Sequence, residues 1–368
     1  MSFLSPQALG VLDALCRSGS AFALYRLPGA EDCRLVLQHG PGAEVLPDFA
    51  ALAGRSGFVA APFAVSAECP AVLIRPDVAA EGIWQIEQAL AGVQPEPCGT
   101  LPGPSAESRA ADKPGYMRAF GMAMDALRAG RVGKVVLSRT AVQEVPPFFS
   151  PAETFCRACE CYPSAMACLF HSPQTGTWLA ATPEQLLCGG GLDWQTVALA
   201  GTMPLQDGAR LADWDAKNRA EQAHVVDYIR DTVGACAAQV WERGPVVSPA
   251  GRLAHLRSDF RFRLQQGAEP CALLQALHPT PAVCGRSKEA ARRVIAECEP
   301  APRRYYSGFF GMWEPAGRTD IFVNLRCMQI HAGCVTLHAG GGLVPESAAE
   351  PEWLETEAKM NTLRSLLT

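Results

Sequence analysis

Glu352, Glu355 and Lys359 are spaced so that a helix would carry all three on one face. Such a trio can be an ordinary solvated ion pair, or part of a cation site if another carboxylate meets it from elsewhere. Glu221, in the charged helical run Lys217-Asn218-Arg219-Ala220-Glu221-Gln222-Ala223-His224, is that kind of partner. Two carboxylates converging from separate helices suit magnesium, which prefers hard oxygen ligands. Lys134 opens the apolar run Lys134-Val135-Val136-Leu137-Ser138-Arg139, where a cation either snorkels to water or is kept for chemistry. Only five of the 32 basic residues are lysine (Lys113, Lys134, Lys217, Lys288 and Lys359), and lysine, unlike arginine, can give up its proton when desolvated. Glu184 follows Pro183 between apolar stretches and reads locally as a glutamate at a helix N-terminus. Arg326, inside the strand-like Phe322-Val323-Asn324-Leu325-Arg326-Cys327, needs a partner or an anionic ligand. Gly340-Gly341-Gly342 precedes the last helix and could bring backbone N–H groups close to an anion.

These residues sit on elements that the pattern outlines. Residues 21–26 and 71–75 read as strands and 81–91 as a helix, followed by a Pro-, Gly-, Ser- and Ala-rich loop over 94–115. A helix over 116–130 runs into the Lys134 strand, and 167–170 pairs with 177–181 as a hairpin. A long amphipathic helix is expected over 216–241 and a short one over 288–298. Strands follow at 305–313, 321–330 and 334–339, the last ending in the triple glycine, and a helix starts near Pro351. Strands outnumber strand–helix–strand alternations, which favours α+β with large antiparallel sheets and outer helices. No composition break splits the chain.

At 368 residues, with 48% hydrophobic and 19% charged residues, the chain has the make-up of a globular protein with a sizeable core. A net charge of −5 without a basic run argues against nucleic acid, and no apolar stretch is long enough to span a membrane. The start Met1-Ser2-Phe3-Leu4-Ser5-Pro6 does not read as a signal peptide, so a cytoplasmic location is expected. Fifteen cysteines, scattered at positions such as Cys168, Cys236 and Cys334, fit a reduced interior in which cysteine serves as a small hydrophobe. One cluster, Cys156, Cys159 and Cys161, has CxxC spacing, but no second CxxC or HxxxH half follows to complete a zinc or redox motif.

Taken in order, nine segments resemble one family, the chorismate-utilising enzymes. They are 134–139, Thr182-Pro183-Glu184, Leu199-Ala200-Gly201-Thr202, the Glu221 helix, Leu277-His278-Pro279-Thr280-Pro281-Ala282-Val283-Cys284-Gly285, Tyr305-Tyr306-Ser307-Gly308, Asn324-Leu325-Arg326, the triple glycine, and 352–359. The resemblance runs from about Tyr116 to the end, so 1–110 is expected as a variable part of the same domain and 111–368 as the catalytic region. Within the family, branches that add water resemble this chain in having lysine at the position of Lys134. Branches that go on to eliminate pyruvate typically carry threonine where this chain has Ala282. The likeness is therefore nearest to isochorismate synthase, with salicylate synthase as the alternative.

The implied reaction is a magnesium-dependent exchange of hydroxyl position on the ring of chorismate. Lys134 would take a proton from the attacking water, and Glu184, with a pKa raised by burial, would protonate the departing hydroxyl. Glu221 and Glu355 would hold Mg²⁺, with Glu352 assisting through a water. Arg326, Tyr306, Gly340 and Gly342 would hold the enolpyruvyl carboxylate, Lys359 would add charge beside the ring carboxylate, and Gly201, Thr202, His278 and Ala282 would line the pocket. The expected partner is the small molecule chorismate, without nucleic acid or membrane, and the chain is expected to be a monomer or weak homo-oligomer. Menaquinone synthesis is the expected pathway, as the more general need, with a siderophore as the alternative. Four departures stand out: Gln222 where the family has histidine, Thr182 for serine, Asn324 for a small apolar residue, and the bulky Phe309-Phe310, expected to reshape the pocket.

Overall fold

The computed structural model describes residues 4–96, 103–105, 112–205, 211–250 and 253–367. Two nine-stranded antiparallel sheets carry the fold. The first runs Gly285–Arg286, Lys134–Glu144, Cys334–Leu343, Cys327–His331, Gly176–Thr182, Met166–Ser172, Ala21–Arg26, Arg34–Gln38 and Val78–Glu81. The second runs Ala237–Ala250, Leu253–Leu264, Asp193–Pro204, Gln185–Gly190, Thr319–Val323, Phe309–Trp313, Gly57–Ala61, Ala71–Ile74 and Glu44–Leu46. Each sheet is thus completed at one end by three strands from the first hundred residues.

Most central strands are buried on both faces, which explains why they read as apolar runs. In the strand Ala21–Arg26, Ala21, Ala23 and Tyr25 pack against Phe58, Ala60 and Val72 of the second sheet, whereas Phe22 and Leu24 turn to the helices outside. Tyr25 meets Phe58 at 5.7 Å between ring centroids, and Phe170 meets Phe310 at 5.6 Å across the same interface. The helices Pro6–Leu15, Ile83–Ala91, Pro151–Cys161 and Ala349–Arg364 cover the outer face of the first sheet. Ala216–Gly234 and Pro270–Leu277 cover the second. The result is helices, sheet, sheet, helices, as the α+β reading expected.

Several boundaries differ from the sequence reading for identifiable reasons. The helix from Ala216 stops at Gly234, and Ala237–Ala250 is an edge strand instead, paired along most of its length with Leu253–Leu264. The expected strand 321–330 is two strands in different sheets, broken at Asn324-Leu325-Arg326, where Arg326 takes φ +47°. The triple glycine continues the strand Cys334–Leu343, pairing with Ser138, Leu137 and Val136. Part of the expected loop 94–115 lies outside the described residues, and the next helix begins earlier than expected, at Lys113. Among the described residues, no helix is long and apolar enough to cross a membrane.

Candidate active site

The chain passes from the first sheet to the second between Thr182 and Gln185, and back between Val323 and Cys327. Glu184 sits on the first crossing and Arg326 on the second. The crossings run side by side. Val323 N–H donates to Glu184 O at 2.9 Å, Ala181 N–H donates to Arg326 O at 3.0 Å, and the Thr182 hydroxyl donates to Val323 O at 2.7 Å. Glu184 therefore belongs to an inter-sheet crossing, not to the helix N-terminus that its sequence neighbours suggested. Asn324 fixes the second crossing by donating from its amide to Tyr305 O at 2.9 Å.

Glu184 is 3% exposed. Burial pushes its carboxyl up to about 8, against the opposing charges of Lys134, Arg326 and Lys359. It is a carboxylic acid that keeps its proton at neutral pH. Arg326 is half-buried, and its guanidinium donates to His255 Nε2 at 3.1 Å, while His255 Nδ1 donates to Gly201 O at 2.9 Å. Burial, then the charges of Arg326 and Lys359, hold that imidazole down to about 3, so it stays neutral. Gly201 takes φ +72° in an irregular stretch of its strand, and Thr202 N–H donates to Asn218 Oδ1 at 3.0 Å. This pins the pocket edge to the Glu221 helix, which Asp215 caps by accepting from Asn218 N–H at 2.7 Å.

Opposite, the strands Lys134–Glu144 and Cys334–Leu343 form a floor bordered by the helices Ala216–Gly234 and Ala349–Arg364. Lys134 has no exposed surface; its Nζ lies 3.1 Å from Glu221 Oε1 and makes no hydrogen bond. Lys217 pairs with Glu352 at 2.6 Å, and Lys359 pairs with Glu355 at 2.6 Å while donating to Gly340 O at 2.8 Å. The three carboxylates lean over the glycines. A β-carbon on Gly341 would stand 2.8 Å from Glu352 Oε2 and 3.7 Å from Glu355 Oε1, and one on Gly342 would overlap Glu221 Oε1.

Those oxygens are a plausible donor set for a hard cation. Among the described residues, no three acidic, histidine or cysteine side chains are gathered tightly enough to ligate an ion as they stand, because each carboxylate is turned to a lysine. Yet Glu352 Oε2 is buried without any partner, and only glycine leaves room for the three acids. Burial and repulsion from Glu355 raise the Glu352 carboxyl. For Glu355, burial is outweighed by Lys359 and Lys217, which hold it below the usual carboxylate range. An all-oxygen set with one orphaned acceptor fits a divalent cation.

Between floor and crossings lies a pocket lined by Glu184, Glu221, Arg326, Lys359, Tyr306, Gly340 and Gly342, with Gly201, Thr202 and Ala282 at its edge. His278 is not brought there. Its Nε2 is 3.1 Å from Pro62 O, and its ring packs edge-on against Phe309 at 4.9 Å, so its place is in the core. Phe309 and Phe310 likewise pack in the cores of the second sheet and the interface and leave the pocket's shape alone. Gln222 turns to the sheet, donating to Ala198 O at 3.1 Å, so it cannot stand in for a ligand. Two lining residues escaped the sequence reading: His255 and His338. His338 stacks on Tyr306 at 5.4 Å, and its Nε2 is buried and unpartnered. The one signal for His255 was its place at the head of the polar stripe His255, Arg257, Asp259, Arg261, Arg263.

The chorismate-binding enzyme family model matches residues 71–368. The chain is 31% identical over 291 residues to the salicylate biosynthesis isochorismate synthase of Pseudomonas aeruginosa, a match covering 74% of this chain and 58% of that protein. It is 31% identical over 205 residues to isochorismate synthase EntC of Escherichia coli K12, covering 53% of this chain and 52% of that one. These matches thus span little more than half the length of the curated relatives. Among solved structures, the menaquinone-specific isochorismate synthase MenF of Escherichia coli superposes with a TM-score of 0.79 at 22% identity, covering 100% of this chain and 92% of that one. That likeness is one of fold.

Proposed function

The chain belongs to the chorismate-binding enzyme family, and on that premise we propose that it converts chorismate to isochorismate with Mg²⁺. The observation that carries the reading is a buried glutamic acid on the pocket wall that holds its proton near neutrality, with the buried Lys134 directly behind the lining residues Glu221 and Gly342. The curated relatives named isochorismate synthase support it.

Lys134 removes a proton from water as the oxygen adds to carbon 2 of the ring. Glu184 gives its proton to the hydroxyl leaving carbon 4, and the ring double bonds shift between the two. Arg326 and Tyr306, with the backbone at Gly340 and Gly342, hold the enolpyruvyl carboxylate. Glu221 and Glu355 would hold Mg²⁺, with Glu352 reaching it through water, and the ion would supply the charge that binds the ring carboxylate and draws electron density from the ring. With Lys134 acting as the free amine that takes the proton, Lys217, Lys359 and Arg326 balance Glu221, Glu352 and Glu355 while Glu184 is neutral, and a dianionic substrate arrives against a dication. The product goes to whichever enzyme consumes isochorismate, on a menaquinone or a siderophore branch; menaquinone is our expectation.

Incubation with chorismate and Mg²⁺, followed by chromatography, tests the reading. Isochorismate is the expected product, lost with a chelator and restored by Mg²⁺. Salicylate with pyruvate would move the chain to the eliminating branch, and anthranilate formed with ammonia would remove the role given to Lys134. Rate against pH offers a second check. Because the acid form of Glu184 is the working one, activity should persist below about 8 and fall as the pH rises through it; a profile flat to pH 10 would contradict the assignment.

Gly342→Ala probes the floor. Its β-carbon would overlap Glu221 Oε1 and stand 3.0 Å from Lys134 Cε, so both must shift. We expect kcat to fall about 10²-fold, with about 1–3 kcal/mol of stability lost to overpacking in a urea titration.

A further inference from the structure

A separate pocket of about 470 Å³ lies between the helix Lys288–Cys298, the segment 299–304 that follows it, and the loop 63–69 after the strand Gly57–Ala61. It shares no lining residue with the pocket of Glu184. Phe63, Ile295, Ala296 and Pro302 give it apolar walls. Three arginines, Arg292, Arg303 and Arg304, line it against two glutamates, Glu68 and Glu299, which leaves one positive charge in excess.

Arg303 and Glu299 satisfy each other. Arg303 donates from Nε to Glu299 Oε2 at 2.8 Å and from Nη2 to Oε1 at 2.5 Å, and it lies over the Phe63 ring at 4.4 Å. Its remaining bonds go to Val283 O at 2.7 Å and Val136 O at 2.6 Å, while Glu299 also accepts from Ser138 N–H at 2.7 Å. The other two arginines are half-buried and lack such an answer. Among the described residues, the Arg304 guanidinium makes no hydrogen bond or ion pair, and its Nε is buried. Arg292 has Glu289 at 3.8 Å, too far for a hydrogen bond, and its own Nε is buried without a partner. Glu68 is exposed on the loop and, among the described residues, pairs with neither. Guanidinium groups held against apolar walls without a counter-charge are costly unless an anion joins them.

We propose that this pocket is a second ligand site, which takes a small monocarboxylate with an apolar, ring-sized body. Arg304 and Arg292 supply the N–H forks for the carboxylate, a geometry that guanidinium matches well. Phe63, Ile295 and Pro302 receive the apolar body, and the volume is in the range of small-molecule sites. One surplus positive charge answers one negative charge. A doubly charged phosphate fits less well, because the apolar walls would strip its water and return too few donors. The site does not depend on the reaction proposed above, and its test reads binding without turnover.

The purified full chain is titrated with 4-fluorobenzoate and followed by fluorine NMR. One saturable site with a Kd of about 0.1–1 mM is expected, the scale for so small a ligand. 4-Fluorobenzyl alcohol, which keeps the ring and lacks the charge, should bind at least about tenfold more weakly. Arg304→Gln and Arg292→Gln should each weaken 4-fluorobenzoate about tenfold; circular dichroism checks that they fold, and either one suffices if the other does not. Arg326→Gln, in the pocket of Glu184, should leave binding unchanged. Four results would each overturn the proposal: no saturation by about 10 mM, equal binding of the alcohol, displacement by equimolar inorganic phosphate, or binding lost in Arg326→Gln and kept in the folded Arg304 or Arg292 variant.

Discussion

Lys134→Ala is expected to lower kcat for isochorismate formation by about 10³-fold, the scale of a lost general base. Lys134 opens an interior strand beneath the pocket and has no exposed surface. Among the described residues, Glu221 is its single ion-pair partner, at 3.1 Å. Removing the lysine also strands Glu221, and breaking a buried pair costs about 3–5 kcal/mol. The thermal midpoint should therefore drop along with activity, and the two effects must be read apart. Lys134→Met, which fills the space, shares the loss of base with less packing damage. Circular dichroism shows whether each variant is folded at the assay temperature, and steady-state rates are compared there. A folded variant with kcat within tenfold of wild type would remove Lys134 from the proton transfer.

Glu184→Gln isolates the other proton. The amide keeps the size and hydrogen-bonding reach of the protonated acid but has no proton of comparable acidity to give. A loss of about 10³-fold in kcat is expected, with KM changed only a few-fold. Stability should hold or improve, since burial already penalises the ionised form of this residue. The contrast with Lys134→Ala is diagnostic: similar loss of turnover, opposite change in unfolding midpoint. The alkaline fall in rate should also move away from about 8 in whatever activity remains. An unchanged limb would point to a different acid.

The chemistry-bearing residues were legible because their types are unusual for their places: a lysine heading an apolar strand, an arginine inside another, acids one turn apart. Their convergence was legible only through the ordered resemblance, since no local pattern tells which sheet a strand joins. Hydrophobicity marks 321–330 as extended, but the change of sheet at Arg326 depends on a single residue at φ +47°. The overextended helix at 216–241 failed for a related reason. Gly234 ends it, and Ala237–Ala250 becomes a strand through its pairing with Leu253–Leu264, a tertiary effect that propensity cannot see. His278 looked like a pocket residue from its motif, yet its neighbours Pro62 and Phe309 are distant in sequence.

The side-by-side crossings have a mechanical corollary. Glu184 and Arg326 are laced together by backbone bonds on the crossings between the sheets and so move as one unit, whereas Lys134 belongs to a first-sheet strand two places from the one that Arg326 leads into. The span between proton donor and proton acceptor is therefore set by how far apart the two sheets rest and how they slide over each other. The spacers are remote side chains such as Phe58, Phe170 and Phe310. Trimming one of those rings would detune the reaction from a distance, slowing it without touching any group that meets the substrate.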